Sequence, residues 1–143
     1  MVAPFVIASV NVHDSQLFGK SFSNFLELAD SLDLEILDSF LVLDPAFDSA
    51  VIKDEIVFRN MKPVIKPNMR GRKNRKKVYQ ILDEFEPLKE IYKGRIVIER
   101  CFAWEDTYRR LATRYDRLNE TFNGFRFLAY ALINFRWFFG RNL

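Results

Sequence analysis

Asp44 directly follows the stretch from Ile36 to Leu43, which reads as a buried strand, so it places a carboxylate at the strand end, where ligands of open α/β sheets gather. Glu99 is a second acid in an apolar setting, among Ile96, Ile98, Phe102 and Ala103. A charge there is costly unless it is used or paired. Carboxylates from separate elements are the oxygen donors that hard divalent cations take. Two such ions can drive phosphodiester chemistry, one activating the attacking oxygen and the other stabilising the leaving oxygen. A structural reading stands beside this one. Arg95 lies four residues before Glu99, one helical turn away, so the two can simply pair on one face.

The second feature is charge segregation. The net charge is only +3, yet residues 62 to 77 carry eight cations and no Asp or Glu: Lys62, Lys66, Arg70, Arg72, Lys73, Arg75, Lys76 and Lys77. Such a segment either holds a phosphate-bearing partner by charge or is a solvated loop. The single cysteine excludes an internal disulfide framework and suits a reducing, cytoplasmic compartment. One His and one Cys cannot assemble a zinc site without carboxylates. The opening MVAPFVIASVNV lacks the basic start of a secretory leader. Residues 122 to 139 are apolar but contain Arg126 and Arg136. A charge near the centre of a membrane span costs about 2.5 to 3.5 kcal/mol, so this segment reads as a helix outside the membrane.

The elements that must position these residues alternate. Residues 4 to 12 have the β-branched pattern of a strand. Asp14 caps a helix, within which residues 16 to 32 put Leu17, Phe18, Phe22, Phe25, Leu26, Ala29 and Leu32 on one face. A second strand spans 36 to 43 and ends at Asp44 because Pro45 has no backbone donor. Asp48 and Ser49 cap a helix to about residue 60, and residues 62 to 66, with Pro63 and Pro67 beside them, form an edge strand. A basic loop over 68 to 77 follows, and helical periodicity resumes near Val78 and breaks around Pro87. A pattern from Leu88 to about Arg110 is interrupted at Gly94. A last amphipathic helix runs from about 119 to 139 through Phe122, Phe125, Ala129, Leu132, Ile133 and Phe139. This order predicts a single α/β domain over residues 1 to 143, with a mixed sheet flanked by helices and long C-terminal helices.

The residues from Tyr92 to Asp106 read YKGRIVIERCFAWED, and Tyr92, Arg95 and Glu99 match the Y-x2-R-x3-E-x6-K signature of a large group of DDE transposases. LVLDPAFDS at 41 to 49 is similar to that group's D-x-G-Y-D-S motif, SVNVHDSQLF at 9 to 18 resembles the segment after its third strand, and residues 102 to 133 resemble its C-terminal helices. The chain thus resembles the C-terminal part of an insertion-sequence transposase. The resemblance implies an incomplete RNase H-like fold and makes Asp44 and Glu99 catalytic ligands of Mg²⁺ or Mn²⁺. It gives Arg95 and Tyr92 the task of bracing the glutamate or positioning phosphate. The eight basic residues would hold transposon-end DNA by charge.

Three departures accompany the match. Asp106 stands where the signature has lysine, and Ala46 where the motif has glycine. The first of the three catalytic aspartates and its strand lie upstream of the matched segments, so the resemblance implies a partial catalytic domain that is inactive by itself. Full-length transposase or a complementing N-terminal chain is then an expected partner. The alternative is a non-catalytic DNA-binding remnant or regulator.

Overall fold

The computed structural model describes residues 6, 13 to 113 and 116 to 140, with only the backbone of Asp14 and Arg110. The strand expected over 4 to 12 falls almost wholly outside these residues. The chain divides into two compact units, Pro4–Arg95 and Ile96–Leu143.

The first unit is built on a β-α-β crossover. Helix α1 (Asp14–Ser31) leads to strand β1 (Phe40–Leu43), a 3-10 turn at Pro45–Phe47, helix α2 (Ala50–Phe58) and strand β2 (Lys62–Ile65). The strands pair in parallel with Phe40 opposite Lys62 and Leu43 opposite Ile65. Helices α3 (Arg75–Phe85) and α4 (Lys89–Tyr92) follow, separated by a 3-10 turn at Glu86–Leu88, and a further 3-10 turn at Lys93–Arg95 ends the unit. Phe18 and Phe22 of α1 bury against Ile52 and Ile56 of α2, Met61 and Ile65, with Phe25, Leu26, Leu41, Leu43 and Phe47 around them. The expected α1 face therefore packs as read, except that Leu32 caps the helix and is exposed. His13 takes the N-cap position assigned to Asp14, its ring nitrogen accepting from the Ser15 amide at 3.4 Å.

Left-handed residues set the turns. Asn60 has φ +56°, the Asn60 N–H donates to the Val57 carbonyl at 2.9 Å, and Met61 N–H donates to Ile56 at 3.2 Å. This is a Schellman ending with Asn in place of Gly, and it buries Met61 beside Ile56. Asp33, at φ +50°, ends α1 in the same way, with Leu34 N–H donating to Ala29 at 2.9 Å. The third, Asp38 at φ +56°, corrects the expected strand over 36 to 43. A left-handed residue cannot continue an extended run, so pairing begins only at Phe40. Asp38 N–H donates instead to Asn60 at 2.8 Å, joining the two turns that launch the strands.

The second unit is helical: α5 (Ile96–Asp106), α6 (Arg109–Ala112) and α7 (Asn119–Phe139). Leu111, Ala129, Tyr130 and Ile133 are buried, whereas Leu132 and Phe139, expected on the packed face, are exposed. Glu105 of α5 joins α7 by accepting from Arg126 Nε at 2.7 Å and Nη2 at 3.3 Å and from the Tyr130 hydroxyl. Burial works against the charge on Arg126, but its bonds to Glu105 and Tyr130 outweigh that and raise its pKa. Among the described residues no helix is long and apolar enough to cross a membrane.

Ile56 is fully buried and Val51 is 74% exposed on the same helix. Ile56→Ala is therefore expected to destabilise the first unit by about 2 to 5 kcal/mol, and Val51→Ala by no more than about 0.5 kcal/mol. Urea denaturation of both variants checks this; equal midpoints would mean that α2 does not face the core in this register.

Candidate active site and basic surface

Asp44 lies immediately after β1, where Pro45 stops the strand and opens the 3-10 turn closed by Phe47 N–H to the Asp44 carbonyl at 2.9 Å. Its side chain makes no cap bond and is 53% exposed. One carboxylate oxygen, Oδ2, accepts from Arg95 Nη1 at 2.7 Å. Arg95 comes from the turn Lys93–Arg95, which packs with α4 against β1. The fold thus joins two residues 51 positions apart in the chain. Tyr92 ends α4, its ring edge-on to buried Phe85 at 5.5 Å. Burial pushes its phenol up, and the Asp44 charge adds to this against the opposing pull of Arg95. Tyr92 therefore stays protonated at neutral pH and can donate a hydrogen bond.

Glu99 belongs to the other unit, in the first turn of α5, and is exposed together with Ile96, Val97 and Ile98. The apolar burial expected around it is absent. A carboxylate in a first helical turn is also favoured by the helix dipole. Arg95 itself lies just before that helix, in the 3-10 turn Lys93–Arg95. Among the described residues no group of three or more His, Cys, Asp or Glu gathers as a cation site.

The most buried carboxylate in this region is one that sequence reasoning assigned to a helix cap. Asp48 is 4% exposed at its side chain, and Ser49 occupies the N-cap of α2 without a side-chain bond. Asp48 Oδ1 accepts from Lys53 Nζ at 2.5 Å, and Oδ2 accepts from the Asn68 amide at 2.8 Å and Arg72 Nη2 at 3.2 Å. No local pattern could reveal this, because the Asn68 and Arg72 partners lie 20 and 24 residues downstream.

The basic segment is more ordered than a plain loop. Helix α3 begins at Arg75, three residues earlier than its apolar periodicity suggests, because Asn74 caps it by accepting from the Lys77 amide at 3.3 Å. Arg75, Lys76 and Lys77 therefore fill a first turn without an acid. Cations at a helix N-terminus are unfavourable by about 0.3 to 1 kcal/mol each, a cost that a bound anion relieves. Lys62 pairs with Asp38 at 3.1 Å and lies over the Phe40 ring, and Arg72 is held by Asp48. The other six, Lys66, Arg70, Lys73, Arg75, Lys76 and Lys77, are exposed, and no ion pair holds them among the described residues.

Burial alone pushes the Asp48 carboxyl up, but the bonds from Lys53 and the Asn68 amide and the charges of Lys53 and Arg72 hold it below its ordinary value of 3.8. A depressed folded value means that this stabilisation is complete above the unfolded pKa and is lost as pH falls through the folded one. The wild-type chain is expected to lose stability in acid below about pH 4 more steeply than Asp48→Asn, as measured by denaturation at stepped pH. Parallel acid profiles would show that the carboxylate gains nothing from its partners.

The family model of the transposase DDE domain matches residues 2–133, a span that includes Asp44, Asp48, the basic segment, Tyr92, Arg95 and Glu99. No curated protein and no solved structure matches the chain. With nearly its whole length covered, and with the two motifs that carry the resemblance joined through Arg95 and Asp44, the chain belongs to the transposase DDE-domain family and its function is related to transposition.

Proposed function

We propose that the chain forms part of a transposase catalytic domain that acts on phosphodiester bonds of transposon-end DNA. The observation that carries this reading is the 2.7 Å bond from Arg95 to Asp44, which ties the Y-x2-R-x3-E segment to the aspartate of the other motif. In this reading both units serve one RNase H-like domain, with β1, α2 and β2 as part of its sheet. The carboxylates of Asp44 and Glu99 are hard oxygen donors and fit Mg²⁺ or Mn²⁺, which when bound would polarise the scissile phosphate and lower the pKa of an attacking hydroxyl or water. Arg95 restrains Asp44 and brings a positive charge to the phosphate site, and protonated Tyr92 stands beside that pair as a donor. The exposed cations from Lys66 to Lys77 hold the DNA backbone without reading sequence.

Two carboxylates are one short of a three-carboxylate site, and Arg95 already neutralises part of the charge on Asp44. The chain by itself is therefore proposed to bind DNA without cutting it. A purely DNA-binding role is the second reading, favoured by the exposed cations and by Asp106, an exposed acid where the signature lysine would meet the transposon end.

Two measurements test this. Incubated with Mg²⁺ and donor-end DNA, the isolated chain is expected to leave the strands intact; efficient cleavage that Asp44→Ala abolishes would overturn the two-ligand argument. In salt titrations, replacing Arg75, Lys76 and Lys77 with Gln should weaken binding and flatten the log–log salt slope by about 0.9 per lost phosphate contact, whereas Glu99→Gln should change neither. Binding that ignores the triple substitution sinks the assignment of the basic surface.

A further inference from the structure

Asp48 is the meeting point of three pieces of chain: Lys53 on α2, the Asn68 amide just beyond β2, and Arg72 in the basic segment. Beyond this anchor the segment is fixed step by step. The Asn68 Oδ1 accepts from the Arg70 amide at 3.0 Å, and Arg72 N–H donates to the Met69 carbonyl at 3.3 Å. Gly71 stands at the third position of that turn with φ +77°, a conformation that glycine adopts without strain. Asn74 then caps α3. A run of like charges is self-repelling and, left alone, disordered. Here it is held by one buried carboxylate from another element.

We infer that Asp48 is a positioning residue that pre-orders the basic segment, so that Arg70, Lys73, Arg75, Lys76 and Lys77 meet successive phosphates in a set arrangement. The inference rests on the reading of this surface as DNA-binding. Its physical basis is that a surface ordered before binding does not lose that conformational freedom on binding. Oδ1 holds the crossover helix and Oδ2 holds the loop, so one carboxylate transmits the fixed geometry of the core to the charged surface. Removing it also leaves Lys53 and Arg72 without the anion that keeps them together.

Simple attraction and positioning predict opposite signs for Asp48→Asn. The substitution removes a negative charge beside a polyanion site, so attraction alone strengthens DNA binding. Positioning weakens it. The test uses the full chain and a mixed-sequence duplex of about 20 base pairs at about 0.1 M salt, read by fluorescence anisotropy, with amide hydrogen exchange on the free protein. Asp48→Asn is expected to keep its helical circular dichroism and lose affinity by about tenfold, the size of one charge-assisted hydrogen bond, with a shallower salt slope. The Asn68 and Arg72 amides should exchange faster.

A folded Asp48→Asn that binds as tightly as wild type, or tighter, overturns the inference. Gly71→Ala supplies an independent arm if Asp48→Asn does not fold. It keeps every charge and its Cβ meets nothing within 4 Å, but it strains the turn through φ +77°. It too is expected to weaken binding, by about threefold, and unaltered affinity counts against the inference. Should the wild-type chain bind no duplex, the DNA reading fails. The exchange data still decide the positioning claim: accelerated exchange at Asn68 and Arg72 in Asp48→Asn upholds it, and unchanged exchange rejects it.

Discussion

A carboxylate withdrawn from water keeps its charge only when donors surround it, and the first unit of this protein satisfies that demand at Asp48 with donors from three separate places. The arrangement determines what the crossover can present at its surface. Because Asp48 stands after Phe47, the chain leaving β2 is drawn back to the start of α2, and the cations that follow are given a fixed origin. The pair between Arg95 and Asp44, 51 residues apart, ties a second distant segment to the end of β1.

These two aspartates, four residues apart in LVLDPAFDS, are used differently because of burial. Asp44 remains half exposed with a single cation on one oxygen, which leaves lone pairs open toward solvent. Asp48 is almost enclosed and both of its oxygens are occupied. An exposed carboxylate beside a guanidinium is suited to exchanging partners, whereas an enclosed and fully bonded one is suited to holding geometry. The division of labour proposed for the site follows from that contrast.

Much of the framework was legible in the sequence. The Phe18 and Phe22 ridge, the strand end at Pro45, the edge strand after residue 61, the interruption at Gly94 and the last helix all follow from local rules of periodicity, proline and glycine. The errors have physical causes as well. The strand before Asp44 is shorter than its apolar run because Asp38 turns left-handed to meet Asn60, a pairing between two loops. Helix α3 starts early because Asn74 caps three cations that carry no apolar period. Glu99 lies in an apolar stretch of sequence yet is exposed, since Ile96, Val97 and Ile98 around it are exposed too.

What the sequence determined by itself is the alternation of elements, the segregation of charge into residues 62 to 77, and the spaced motifs whose family the matched span bears out. Each is a property of neighbours within a few residues, where backbone preference and helical spacing act. Only the tertiary structure decided which acids meet which bases. Arg95 bonds Asp44 from 51 residues away, and Asp48, a helix cap by local rules, anchors the basic segment. Contacts across 20 to 51 residues depend on how the crossover closes, and charge pairs carry no periodic trace along the chain that would announce them.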